Sequence, residues 1–489
     1  MRSMAHAGLT QWRRAAVCPL IMLLSGVICL SCSRRAGTDG RAGTDALPHA
    51  GLSECIPDWP AGPSVQPTAT PSLQVEAPKI LWVGKTRFGG AFGRTDGDGA
   101  VLLGDSVAFP VYSEIAFFDK HGNNLGYRGG NLGEYASAPT ADGDGNVYFA
   151  APSGVYSMDS ASKPRWYQPY GAAPPETGPT PGPLVLSPDG VLYGVARDYN
   201  LRAIRAKDGS EIWSQATENG HLAQVLGGAG GAVFVQTFTS GVQVYDAKTG
   251  AHLGALETTD GRPIGGYRGA WCLGWRFGIS FADSFVLDPC GKQRWSYWGG
   301  PLQNVDSGII ALGELLVTSS FQSDSNGTPK KPSSVTLYDS DGQIKVGPLT
   351  RDGQPYLAGA DGTLYTVYCQ YAPRGTNQLI AYSPDLTELW RLDLGGASGG
   401  CPAGNGVLDS DGVLYLVRMG EGGEIDLLAI QTRSPGLADS SWPSLRHDNR
   451  GTGWLVPWTP PPDASQGNPG SDADVSDAVD APAESGPSD

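Results

Sequence analysis

LVLSPDGVLYGVARDYNLRAIRAKDGSEIW, residues Leu184 to Trp213, holds the pattern that decides the fold. A short apolar run stops at a Pro-Asp-Gly turn and restarts as Val191 to Ala196. It turns at Arg197 to Asn200, runs again as Leu201 to Ala206, turns at Asp208-Gly209 and ends on Trp213. Short apolar runs divided by turn formers describe strands joined by hairpins, here one four-stranded antiparallel unit.

Variants of this unit recur along most of the chain. Their second half, an apolar strand ending in an Asp-Gly-type turn with Trp often four residues on, is found as FFDKHGNNL (Phe117 to Leu125), YSMDSASKPRW (ending at Trp166) and IRAKDGSEIW (Trp213). It returns as VYDAKTGAHL (Leu253), VLDPCGKQRW (Trp295), LYDSDGQIKV (Val346) and AYSPDLTELW (Trp390), and as LLAIQTRSPG (Leu427 to Gly436), which lacks the Trp. Trp166 and Trp213 are 47 residues apart, and Trp295 and Trp390 about twice that. Such a period fits one blade of a β-propeller. A four-stranded sheet cannot cover both of its faces alone, so blades stack radially, and an outer-strand Trp is sized to fill the gap between neighbours. The expected fold is therefore all-β, a propeller of about eight four-stranded blades, with seven as the alternative. The eighth copy lacks its Trp while KILWV (Lys79 to Val83) has a Trp and no repeat before it. This N-terminal strand is expected to close the last blade, with Trp82 in the missing place.

Composition agrees with this. The 489 residues include 70 Gly and 38 Pro, with only 17% charged side chains. The net charge of −15 argues against nucleic acid as a partner, which needs clustered Lys and Arg. Seven of those charges fall in the last thirty residues (Asp463, Asp472, Asp474, Asp477, Asp480, Glu484, Asp489), which carry no Lys or Arg. At the other end, Arg2, Arg13 and Arg14 precede an uncharged apolar run from Ala15 to Ser31, the order of an export signal. Residues 1–31 are thus expected to be a signal peptide, 32–78 a disordered tether rich in Gly, Pro, Ser and Thr, 79–458 the propeller, and 459–489 an acidic disordered tail. Export makes disulfides possible for Cys55, Cys272, Cys290, Cys369 and Cys401. Cys272 and Cys290 fall near two strands of one blade, and the odd count leaves one thiol over unless Cys55 pairs with Cys32.

The DGxLY and AxDxxTGxxxW anchors resemble those of PQQ-like propeller repeats, a family that includes quinoprotein dehydrogenases and the lipoprotein of the outer-membrane assembly machinery. WPSLRHDNRGTGW (Trp442 to Trp454) is similar to a stretch often found beside such repeats. Leu30-Ser31-Cys32 resembles a lipobox, which implies a lipid on Cys32. Ser33 after it implies the outer membrane, with the domain facing the periplasm or the cell surface. PQQ with calcium is the cofactor that the family brings to mind, but no Cys-Cys pair occurs here, so the expectation is no cofactor.

Candidate chemistry is sparse. The Asp-x-Asp-Gly strings at Asp96, Asp142, Asp339 and Asp409 offer two carboxylates each and read as turns rather than calcium loops. Arg446, His447 and Asp448 read as ties between a C-terminal latch and the ring. No catalytic or metal-ligating set emerges. In an up-and-down blade the first and third turns share one end, so the links between blades gather at the other. There Tyr127, Arg128, Tyr170, Tyr267, Arg268 and Trp298 form the candidate ligand-binding set, because aromatic and Arg side chains bind through area burial and cation-π contact. The competing reading packs them between blades. The expected function is a monomeric, membrane-tethered, non-catalytic binding or scaffold propeller of the cell envelope. Its partner would be an envelope protein or an extracellular ligand. The alternatives are a quinoprotein-type oxidoreductase and a hydrolase or lyase acting on envelope polymers.

Overall fold

The computed structural model describes most of residues 78–455. The longer stretches outside it are 90–98, 129–135, 171–181, 218–223, 256–270, 297–302, 323–333, 369–376 and 396–402, and between 271 and 309 only strands are described. The expected signal, tether and acidic tail lie outside the described residues, as do Cys32, Cys290, Tyr267, Arg268 and Trp298.

Eight sheets follow one another along the chain. Blades 1 to 7 span residues 101–128, 140–169, 185–216, 224–255, 271–296, 303–350 and 354–393. Each is antiparallel and runs in sequence order from its first strand to its last, apart from a parallel addition to blade 4 and a split first strand in blade 6. Blade 8 takes Ala403–Leu408, Val413–Met419 and Glu424–Gln431 from the end of the chain, and its outermost strand, Ile80–Gly89, from the beginning. Trp82 lies opposite Ala429 and Val83 opposite Leu428, so the N-terminal strand closes the last blade as its sequence implies.

The first strands lie side by side around the axis, each touching the next from blade 1 through blade 8 and back to blade 1. Between the blades sit the cores, built from alternate residues of each strand because successive side chains point to opposite faces. Leu427 and Ala429 of blade 8 pack with Val107 and Phe109 of blade 1, whereas Leu428 and Ile430 pack with Leu379 and Ala381 of blade 7. At the seam the closing strand approaches so closely that a Cβ on Gly84 would stand 2.6 Å from the Phe118 ring.

Candidate functional site

Three outer-strand Trp rings are hydrogen-bonding wedges. Trp82 donates its indole N–H to Lys120 O at 2.9 Å, Trp166 to Ala206 O at 3.0 Å, and Trp213 to Ala247 O at 3.1 Å. In each case the acceptor belongs to the third turn of the following blade, and the ring covers that turn's glycine. Gly122, Gly209 and Gly250 all have positive φ, and a Cβ on any of them would come within 2.8 Å of the indole. The glycine therefore satisfies two demands at once, the left-handed backbone and the close ring.

Where the next turn has no such glycine, Arg takes over. Ser162 (φ 60) and Leu386 (φ 63) occupy the corresponding turns of blades 2 and 7. Arg128 Nε donates to Ser162 O at 2.9 Å and Arg351 Nε to Leu386 O at 2.7 Å. In blade 1 the Trp position holds Gly126, and the Arg128 guanidinium folds back over it, 2.9 Å from where a Cβ would be.

This fixes the place of the sequence-derived candidates that are described. Arg128 is an inter-blade tie. Tyr127 is half-buried against the core between blades 8 and 1, and its hydroxyl accepts from Asn124 Nδ2 at 2.7 Å. Tyr170 is buried between blades 2 and 3 beneath the Arg202 guanidinium. Burial pushes its phenol pKa up, although Arg202 opposes this, and its hydroxyl has no partner among the described residues. Tyr127 faces the gap to blade 8, Arg128 the gap to blade 2 and Tyr170 the gap between blades 2 and 3, so the structure does not gather these side chains into one site.

Of the four Asp-x-Asp-Gly strings, the one at Asp96 lies outside the described residues and the other three are turns. Asp142 Oδ1 accepts the amides of Asp144 and Asn146, Asp339 Oδ1 those of Asp341 and Gln343, and Asp409 Oδ1 those of Asp411 and Val413. A carboxylate oxygen occupied by the amides of its own loop closes the hairpin. Asp409 also pairs with Lys120 across the seam at 3.5 Å.

The end of the ring that carries these turns is crossed by the C-terminal segment, residues 436–455. It satisfies first-strand amides blade after blade. Pro443 O accepts from Ala358 of blade 7, Asn449 O from Leu102 of blade 1, Arg450 O from Ala141 of blade 2, Thr452 O from Leu186 of blade 3 and Gly453 O from Gly228 of blade 4. On blade 8, the Asn449 side chain accepts from Leu408 N at 2.9 Å and donates to Leu408 O at 2.6 Å. Arg446 donates to Pro139 O and Leu184 O, and His447 Nδ1 lies 3.2 Å from Thr452 Oγ1. The Arg446-His447-Asp448 cluster thus holds the latch to the ring. Burial holds the His447 imidazole below the ordinary histidine pKa, with Asp448 opposing.

Beside this latch, over blades 2 to 4, lies a groove of about 1250 Å³. Its walls include Asp142, Asp189, Arg205, Lys207, Lys248 and Trp454. The groove is on the Asp-Gly-turn end, opposite the end to which the links point, and sequence reasoning did not find it. The available signal was the cation that recurs in the third turns, Lys207 before Asp208-Gly209 and Lys248 before Thr249-Gly250. Among the described residues no group of three or more His, Cys, Asp or Glu is arranged to hold a metal.

Residues 155–261, from blade 2 into the region after blade 4, match the sequence profile of a PQQ-repeat family described as outer membrane protein assembly factor BamB. Among solved structures, BamB from Moraxella catarrhalis aligns at 12% identity with a TM-score of 0.46, covering 72% of this chain and 99% of that one. The computationally designed protein Ika8 aligns at 14% identity with a TM-score of 0.47, covering 68% of this chain and 96% of that one. No curated protein matches by sequence. Residues 155–261, the second half of blade 2 and all of blades 3 and 4, thus carry PQQ-like repeats, and they sit among eight blades built on the same recurring sequence unit.

Proposed function

We propose that this protein is a non-catalytic scaffold or assembly-type propeller of the bacterial cell envelope, acting through protein contacts. The observation that carries the reading is the match of residues 155–261 to a family described by an outer-membrane assembly factor. The geometry supports it. One end of the ring is crossed by the chain's own C-terminal segment, which leaves the end bearing the second turns and the links as the broad surface for a partner. At that end Tyr167 is 46% exposed and caps a rigid stack, 4.6 Å from Tyr156, which in turn lies 5.3 Å from Phe149. A large, pre-ordered, amphipathic ring is the kind of side chain that anchors an interface.

The same proposal includes a signal peptide over 1–31, a lipid on Cys32, a tether over 32–78, the propeller over 79–458, outer-membrane anchorage, a monomeric state and no cofactor. The test is to cross-link the protein in its native envelope, purify it by a C-terminal tag and identify what accompanies it. One stoichiometric envelope protein, lost in Tyr167→Ala at unchanged folding, supports the scaffold. Recovery of the chain alone, or dye reduction on adding PQQ and calcium, overturns it. Labelling by a palmitate analogue that disappears in Cys32→Ala checks the anchor separately.

A further inference from the structure

From Asn449 to Gly453 the latch passes over blades 8, 1, 2, 3 and 4 in turn. On each it accepts a first-strand amide: Leu408 N at the Asn449 side chain, then Leu102 N, Ala141 N, Leu186 N and Gly228 N at the carbonyls of Asn449, Arg450, Thr452 and Gly453. The blades thus present a row of inner-strand N–H groups along one track. A polypeptide answers such a row because every residue carries a backbone acceptor, so the recognition is largely independent of side chains.

The track ends in a socket. Trp454 is buried between blades 3 and 4, packed with Val185, Val225 and Tyr245, its ring stacked 5.5 Å from that of Tyr193. Gly228 makes the room, since a Cβ there would stand 2.2 Å from the indole. These walls belong to the blades and only the inserted ring comes from the latch, so the socket suits an aromatic side chain from another chain as well. Between Asn449 and Trp454 the backbone is left-handed at Gly451 (φ 61) and Gly453 (φ 62). A Cβ on Gly453 would come within 3.2 Å of Val185, so the track also selects small residues there.

The present occupant is held under strain. His447 has φ 77, and the Ser444 hydroxyl is buried with no partner among the described residues. Left-handed backbone at a non-glycine residue and an unanswered buried polar atom persist only where the surroundings over-determine them, and such features gather at clamps and switches. We propose that residues 446–455 are a releasable strap over a peptide-binding track. A partner's segment takes its place by presenting an amide side chain, small residues and, five positions on, an aromatic ring. This site lies at the opposite end of the ring from Tyr167 and stands or falls without it.

Hydrogen exchange on the full-length protein tests the release. The amides of Leu408, Leu102, Ala141, Leu186 and Gly228 should exchange as one unit, with protection within about threefold of one another and at least about 100-fold below that of the ladder between Val191–Val195 and Asn200–Arg205. Exchange only on unfolding of the whole molecule, or at five unrelated rates, overturns the proposal. The track is probed with a fluorescent synthetic peptide of residues 446–455. Full-length Trp454→Ala should bind it at least about tenfold more tightly than the natural chain, whose tethered strap competes at an effective concentration on the order of millimolar. If Trp454→Ala loses its cooperative unfolding, Asn449→Ala carries the comparison, with a gain of at least about threefold. Replacing the peptide's Trp by Ala should abolish the binding. Absence of binding to a folded, strap-weakened chain, equal binding by natural and weakened chains, or indifference to the peptide's Trp overturns the proposal as well.

Discussion

Asn449 touches the first and last blades at once, and its chemistry explains why. Its carbonyl accepts from Leu102 while its side-chain amide both accepts from and donates to Leu408, so one residue answers three backbone groups at the seam. Asn449→Ala leaves the two Leu408 groups unanswered and should lower unfolding free energy by about 2 kcal/mol, measured by urea denaturation. Asn449→Asp restores the acceptor but sets a carboxylate oxygen against Leu408 O, so it should not recover the loss. Two residues earlier, His447 has φ 77, which Asn tolerates. Its folded pKa lies below the ordinary 6.5 because burial disfavours the charged ring. The unfolded chain therefore binds the proton first, and the latch is fully stable above about pH 6.5, losing stability as pH falls toward the folded value. His447→Asn should flatten that acid limb of a stability profile; an unchanged limb would assign the effect to another group.

At the scale of elements, the wedge between blades is a pair, an outer strand with its ring and the next blade's turn with its glycine. Gly209→Ala adds a Cβ 2.6 Å from the Trp166 indole at φ 75, so strain and a displaced ring both act. A loss of about 2–3 kcal/mol is expected in thermal or urea unfolding, against about 1 kcal/mol for Gly190→Ala, which shares the positive φ of 77 but has nothing within 4 Å. The Arg128 tie should be softer: Arg128→Ala removes the charge-assisted bond to Ser162 O across the blades and a local one to Tyr127 O, together worth about 1–2 kcal/mol. These elements also mark what the sequence could convey. Blade order, the closing strand and the place of Trp82 were legible because each is an instance of something repeated, and repetition averages out degenerate copies. For Arg128 the sequence leaves two readings open, a binding group or a side chain packed between blades, because its signal is a substitution: glycine stands in the Trp slot and the cation comes two residues later, a relation visible only once the neighbouring turn is known to lack glycine. The path of residues 436–455 was hidden for a different reason. Only the tie of Arg446 to Asp448 was foreseen, because a segment that occurs once and bonds through its backbone carbonyls leaves no side-chain pattern to read.

For the whole molecule, closure converts local contacts into shared stability. In an open array a terminal unit frays by itself, since each repeat leans on one neighbour at the end. Here blade 8 leans on both blade 7 and blade 1, and the seam is fastened by the Trp82 indole, the Lys120–Asp409 pair and Asn449. Trp82→Ala and Trp213→Ala remove equivalent wedges, one at the seam and one inside the run of consecutive blades. If the ring behaves as closed, both should lower the same single urea transition by about 2–4 kcal/mol, and hydrogen exchange should rise in all blades together. An open ring would separate the two: Trp213→Ala would still destabilise the whole, while Trp82→Ala would leave the main transition in place and raise exchange in blade 8 alone. Trp82→Phe refines the comparison, because it keeps most of the ring contact and removes only the donor to Lys120 O. Its cost should be about 1 kcal/mol, and a cost equal to that of alanine would place the whole effect of the seam wedge in its hydrogen bond.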